Sequence, residues 1–102
     1  MQEDYTVRNI TFPFSEQKNI RDRLKKHLPV YTIRVDKEYN KYHYGDFVKT
    51  TWGAILEVIE VIKLKSIKNY IHYNELDQKT KKNLLKYNKL ESIKLIYRKG
   101  SW

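Results

Sequence analysis

Polar and apolar residues alternate with period two in several parts of the chain, a pattern typical of strands. Residues 30–35 alternate in this way and are rich in β-branched side chains, which predicts a half-buried strand. Residues 54–63 are rich in Ile and Val and predict the longest strand, at the centre of a barrel-like sheet. Shorter strands are predicted at residues 9–12 and 47–50, and residues 92–98 predict a final strand.

A helical pattern follows the first predicted strand. Ile20, Leu24 and Leu28 recur every four residues and form one apolar stripe. Ser15 is the predicted N-cap of this helix, which should end near Pro29.

Two shorter helices are predicted in the second half of the chain. Ser66 should cap a helical turn near residues 67–71, and Asp77 should cap a helix that runs to about residue 88. The predicted order is therefore β, α, β, β, β, short α, α, β. Three consecutive strands without an intervening helix favour an α+β fold with a mixed β-barrel flanked by two helices over a doubly wound sheet.

The length of 102 residues corresponds to one domain, predicted at residues 8–99 after a loose polar N-terminus at residues 1–7. Cys is absent, and the three His show no metal-ligand spacing, so neither a metal nor a cofactor is expected. No apolar run approaches the roughly 20 residues that span a bilayer. The acidic N-terminus does not resemble a signal peptide, so we expect a soluble, cytoplasmic protein without membrane association.

The chain is strongly basic, with 21 Lys and Arg against 12 Asp and Glu and a net charge of +9. Such an excess favours polyanion partners, because phosphate contacts release condensed counterions. A second interpretation stays open. Lys, Asn, Ile and Tyr together account for 42 residues, as an AT-rich genome would produce without any role in nucleic-acid binding.

The motifs of many enzyme classes are missing from the sequence, which has no Gly-rich phosphate loop, nucleophile elbow or acidic metal cluster. Thr32 and Arg34 stand two apart on a predicted strand and should share one face. An Arg held in a cleft can bind phosphate, carboxylate or a base edge through its planar fork, although a solvated outer face is the alternative.

Two loop segments supply further candidates. Residues 39–44 interleave aromatic and basic side chains, a composition that suits stacking on nucleobases and contact with phosphates, although loop tyrosines also cover cores. Glu75 stands just ahead of the second long helix, where an acid is ordinarily a solvated first-turn residue. It gains chemical interest only if the fold brings it opposite Thr32.

The order of these short motifs resembles the ASCH family of the PUA-like superfamily over nearly the whole chain. Residues 10–12 open a strand before a helix, residues 32–34 read Thr-Ile-Arg, residues 44–46 read Tyr-Gly-Asp, and a long β segment follows. The chain is most similar to the small bacterial N4-acetylcytidine amidohydrolases. The resemblance implies a small PUA-like (ASCH) barrel with an RNA-binding or nucleoside-binding cleft.

In those amidohydrolases the resemblance implies a Lys three residues before a nucleophilic Thr, and a downstream Glu. Thr32 matches the nucleophile and Glu75 matches the acid, but Pro29 occupies the Lys position, and Lys26 is the nearest substitute. A Thr hydroxyl needs an adjacent base to become nucleophilic. We therefore rank a binding module above an enzyme.

Three functions fit the sequence. The first is a domain that binds RNA, other nucleic acid or a modified nucleoside in a basic cleft, with Arg34 and lysines at phosphate, Thr32 at a base or sugar, and a tyrosine stacked on a base. The residues expected to bind are Arg23, Lys25, Lys26, Thr32, Arg34, Lys41, Tyr42 and Tyr44. The second is a metal-free amidohydrolase that acts on an N-acylated nucleoside through Thr32, Lys26 and Glu75. The third is a small phage-type inhibitor that binds a host nucleic-acid enzyme.

Overall fold

The structure, a computed structural model, describes residues 7–101, so the predicted N-terminal segment lies outside the described residues except for Val7. Two helices and five strands follow the predicted order. They are β1 (Arg8–Asn9), α1 (Phe14–Lys25), β2 (Val30–Val35), β3 (Phe47–Lys49), β4 (Ala54–Leu64), α2 (Gln78–Leu84) and β5 (Leu90–Gly100). Single 3-10 turns occupy Asp36–Glu38, Ile67–Asn69 and Tyr73–Glu75.

The five strands form one mixed sheet that curls into a half-barrel, which confirms the α+β class. Their spatial order is β1-β3-β4-β5-β2, so β4 is central, as its length and composition predict. Only the short β1–β3 pair is parallel; the other pairs are antiparallel. Within residues 7–101, strand β2 pairs with β5 alone and lies at an edge of the sheet.

Each face of the sheet has its own hydrophobic core. On one face, α1 inserts Ile20 and Leu24 against apolar side chains of β2, β4 and β5. On the other, a smaller core gathers around Leu64, Ile67, Tyr70 and Leu90, and Leu84 of α2 packs against it. Side chains alternate between the faces of β2, so Val30 belongs to the first core, and Tyr31, Ile33 and Val35 to the second.

The helix ends correct one prediction and confirm two others. Helix α1 begins at Phe14, with Pro13 in the cap position and no side-chain cap, so the prediction of Ser15 as N-cap is wrong. The helix ends at Lys25 because His27 takes φ = 58°, which leaves Leu28 41% exposed. Asp77 caps α2 through Oδ1, which accepts the Thr80 N–H at 2.7 Å, and Ser66 caps the turn that follows β4.

A fully buried carboxylate anchors the loop that follows β2. Glu91 Oε1 accepts a hydrogen bond from the backbone N–H of Asn40 at 2.7 Å and another from the Lys63 ammonium group. Lys63 in turn donates to Asn40 Oδ1 at 3.1 Å and lies over the ring of Tyr39. Because Asn40 takes φ = 65°, these contacts hold a backbone conformation that non-glycine residues seldom adopt.

Neither of the two helices in the described part of the chain is long and apolar enough to cross a membrane.

Candidate functional site

A cleft of about 390 Å³ runs along the free edge of β2, between α1 and the segment that includes α2. Four consecutive strand residues line it because an edge cleft meets side chains from both faces of a strand. Residues 31–34 supply the β2 wall, Glu16, Asn19 and Ile20 supply the α1 wall, and Tyr70, Leu76, Thr80 and Leu84 supply the opposite wall. Its volume lies within the range of about 300–1,000 Å³ that is usual for small-molecule sites.

Arg34 is the buried cation of this cleft, with only 8% of its surface exposed. Its Nη2 donates to the carbonyl oxygen of Thr11 at 2.9 Å, and its guanidinium carbon lies 5.4 Å and 5.8 Å from the ring centres of Phe12 and Tyr42. The Nε–H, however, is buried without a hydrogen-bond partner among the described residues.

Desolvation sets the electrostatics of Arg34. Burial lowers the pKa of its guanidinium, while the carboxylates of Glu38 and Glu16 act in the opposite direction. Arginine nevertheless stays protonated in proteins, so the group remains a buried cation. The buried Nε–H, which lacks a partner among the described residues, leaves part of this desolvation uncompensated.

A side pocket of about 230 Å³ adjoins the cleft and shares Tyr31, Tyr70 and Leu76 with it. Its other lining residues are Arg23, His72 and Glu75. The Glu75 carboxylate pairs with His72, Oε2 to Nδ1 at 2.5 Å, and the His72 ring meets the ring of Tyr31 edge to face at 4.5 Å between centres. Glu75 therefore lies next to the cleft, engaged with His72, and not among the residues that line the cleft with Thr32.

Tyr70 stands between the cleft and the side pocket. Burial raises the pKa of its phenol to about 12, with smaller contributions in the same direction from Glu75 and Glu16, among others. These two carboxylates line different cavities, Glu16 the cleft and Glu75 the side pocket. The phenol of Tyr70 stays protonated at neutral pH, and its ring is an apolar wall with a polar edge.

The lysines predicted at the site lie elsewhere. Lys26 is exposed at the C-cap of α1, and Lys25 lines a separate groove on α1 with Phe14 and Arg21. None of the described residues that line the cleft or the side pocket is a lysine. Of the three predicted catalytic residues, only Thr32 lines the cleft.

The tyrosines of the loop before β3 also depart from the prediction. Tyr42, which was predicted to stack on a base, is 1% exposed in the larger core, and its hydroxyl donates to the carbonyl oxygen of Asn9 at 3.3 Å. Lys41 pairs with Glu38 at 3.0 Å, and this contact raises the pKa of Lys41. Tyr44 is 77% exposed in the following turn and is not part of the cleft wall.

Glu16, Asn19 and Tyr70 are among the cleft residues that were not predicted from the sequence. The first two stand four and one positions before Ile20, so helical spacing places them beside its buried position. That spacing was a usable signal for polar residues on the inner edge of α1. Tyr70 follows an irregular turn and had no such signal.

The arrangement suits a planar polar ligand. It offers a buried guanidinium donor, a carboxylate, the Thr32 hydroxyl, the Asn19 amide and two tyrosine rings. Among residues 7–101, no group of three or more His, Cys, Asp or Glu side chains could hold a metal ion. No family model matches the chain, and we found neither a curated protein nor a solved structure that matches it.

Proposed function

We propose that this protein is a small PUA-like (ASCH) domain that binds a nucleobase of RNA, or a modified nucleoside, in the cleft beside β2. The observation that carries the proposal is Arg34, a largely buried cation that lines the cleft together with the carboxylate residue Glu16. The half-barrel between two helices supports the fold assignment. The order of short motifs along the sequence supports the same assignment.

The charge balance of the cleft favours a base edge over a bare anion. Arg34 is accompanied there by the carboxylate of Glu16, so the cleft holds both a strong donor and a strong acceptor. Nucleobases carry carbonyl or ring-nitrogen acceptors beside amino donors, and Arg and Glu read such edges in protein–nucleic acid complexes. Tyr31 and Tyr70 supply the aromatic surface on which a base can stack.

The test is a titration of isotopically labelled protein with the four ribonucleosides and N4-acetylcytidine, followed by backbone amide chemical shifts. We expect at least one nucleoside to shift residues 31–34 and the inner edge of α1. Arg34→Met should abolish the shifts. Arg98→Gln is the matched control, because Arg98 is an exposed arginine paired with Glu57 and does not line the cleft. Shifts confined to other surfaces, or equal losses in both variants, would contradict the proposal.

An amidohydrolase is the second candidate, and one observation favours it: the Thr32 side chain lines the same cleft as the Glu16 carboxylate. Glu16 would have to serve as the base that the family places on a lysine. Deacetylation of N4-acetylcytidine by the wild type, lost in both Thr32→Val and Glu16→Gln, is the result expected of an enzyme. Product formation that persists in both variants would exclude these residues from catalysis.

A further inference from the structure

Helix α2 has two chemically different faces. Thr80 and Leu84, four residues apart, line the cleft. Lys79, Lys82 and Lys86 follow each other at spacings of three and four residues, which places them on the opposite side of the helix and the turn that continues it. All three are exposed, and we call this set the lysine stripe.

The lysine stripe lacks acidic compensation. Residues 78–90 contain five lysines and no Asp or Glu. None of the ion pairs within the described part of the chain includes a stripe lysine, whereas Lys41, Lys63 and Arg98 are each paired with a glutamate. The nearest acid in sequence, Asp77, is engaged as the helix cap, and Lys79 contributes to the lowered pKa of its carboxyl.

The dimensions of the stripe match a nucleic-acid backbone. An α-helix rises 1.5 Å per residue, so the stripe spans roughly 10 Å, a length that a few consecutive phosphates of one strand can follow. The Lys86 ammonium group lies 5.2 Å from the ring centre of Tyr87, a contact that restrains one end of the stripe.

We propose that the lysine stripe binds the phosphates of an RNA strand whose base enters the cleft on the other side of α2. The identity of the ligand as RNA rests on the proposed function; the location of the phosphate contacts does not. The stripe replaces Lys25 and Lys26 of α1 as the principal phosphate-binding surface. A strand that passes over so short a helix can present one base to the cleft and the neighbouring phosphates to the stripe.

Two matched triple variants test this assignment. K79Q/K82Q/K86Q removes the stripe, and K18Q/K25Q/K26Q removes three exposed lysines of α1 and its C-cap, with the same change in net charge. Binding of a fluorescein-labelled 12-nucleotide single-stranded RNA is measured by anisotropy at 50, 100 and 200 mM NaCl. Loss of three phosphate contacts should reduce the slope of log K against log salt by about 2 in the stripe variant, and by much less in the α1 variant.

Equal changes in the two variants would overturn the proposal, because bulk charge would then explain them. An unchanged slope in the stripe variant would also overturn the proposal. That result is expected if the stripe binds an acidic protein and not RNA. Acetylation of the wild type with and without RNA tests the same assignment without any substitution. Bound RNA should protect the stripe lysines more than Lys25 and Lys26, and the reverse order of protection would contradict the assignment.

Nucleoside titration of the stripe variant separates this inference from the proposed function. We expect its nucleoside affinity to equal that of the wild type, because an uncharged nucleoside makes no phosphate contact. If nucleosides fail to bind the wild type but RNA binding still depends on the stripe, the cleft assignment fails and the phosphate surface stands. If nucleosides bind the cleft but RNA binding does not change in the stripe variant, the phosphate surface fails and the cleft assignment stands.

Discussion

Arg34 on β2 and Glu91 on β5 are partners in the strand register, and both are buried, yet their surroundings differ. Glu91 forms an ion pair with Lys63 and accepts a hydrogen bond from the Asn40 N–H, so its carboxylate holds the loop after β2 in place. Arg34 has no carboxylate within ion-pair distance in the described part of the chain, and it lines the cleft. Each side chain keeps one unpartnered atom among the described residues, but only that of Arg34 belongs to a cleft residue.

The difference separates a buried charge that is paired within the fold from one that has no ion-pair partner among the described residues. Removing one partner from a buried pair is strongly destabilising because the remaining polar groups lose their compensation. Arg34 has no ion-pair partner among the described residues that its removal would leave uncompensated, so its loss should affect binding more than folding. Four substitutions test this difference and the roles of two other ionisable groups, in order of decreasing expected effect.

Glu91→Ala should lower the free energy of unfolding by about 2–4 kcal/mol, because it leaves the Asn40 N–H without its acceptor and opens a cavity in a buried site. Urea unfolding followed by Trp fluorescence measures the change. Glu91→Gln keeps the volume and an acceptor oxygen and should lose less. Equal unfolding midpoints for Glu91→Ala and the wild type would remove the structural role assigned to this carboxylate.

Arg34→Met should reduce nucleoside affinity about 10- to 100-fold, since a hydrogen bond from a charged donor contributes about 1.5–3 kcal/mol. Its unfolding free energy should stay within about 1 kcal/mol of the wild type, because Met keeps much of the packing and the Thr11 carbonyl belongs to an exposed residue. Arg34→Lys retains the charge but not the planar fork. Full affinity in Arg34→Lys would show that charge alone acts, and a large stability loss in Arg34→Met would erase the contrast with Glu91.

Tyr70→Phe should change how stability depends on alkaline pH. The folded pKa of about 12 lies above the ordinary value of 10.0, so the contribution of Tyr70 is complete below pH 10 and is lost as pH rises through about 12. The wild type should therefore lose stability faster than Tyr70→Phe between pH 9.5 and 11. If the urea midpoints of the wild type and Tyr70→Phe changed equally over that range, Tyr70, in the wall shared by the cleft and the side pocket, would not be desolvated.

Asp77→Asn should have the smallest effect, because this carboxylate is exposed and Asn is also a good helix cap. The Thr80 N–H holds the pKa of Asp77 below its ordinary value, so its charge stabilises the fold above the unfolded pKa, near 3.8, and ceases to do so as pH falls through the folded pKa. Melting temperatures at low salt should thus favour the wild type slightly at pH 6 and converge with Asp77→Asn toward pH 2. A constant difference over that range would contradict the assignment of the cap charge.

Local patterns were sufficient for most of the fold. The alternation in β2, the Ile and Val content of β4, and the caps at Ser66 and Asp77 are features of near neighbours in the chain, and the elements were predicted from them. Helix α1 ended early because a left-handed residue at His27 intervenes, which a count of apolar spacing does not detect. Helix α2 ends at Leu84, several residues before the predicted end near residue 88.

The candidate site was less predictable because it depends on contacts between distant segments. Thr32 and Arg34 were found from their spacing on one strand, and both line the cleft. The burial of Tyr42 depends on tertiary packing, so the aromatic composition of its loop was misleading. The pairing of Glu75 with His72 is a local contact across one 3-10 turn, and it was not predicted. The link between Lys63 and Glu91 joins two strands across 28 residues, and no local pattern indicates it.

The position of β2 at the margin of the sheet has a consequence for aggregation. An unpaired strand edge invites a second chain to add to the sheet, and natural proteins cover such edges or interrupt them. Here α1 and the α2 segment rise on either side of β2, so the gap between them admits a flat small molecule more readily than another polypeptide strand. The walls that shape the cleft therefore also cover this strand edge, and substitutions that widen the gap should promote aggregation.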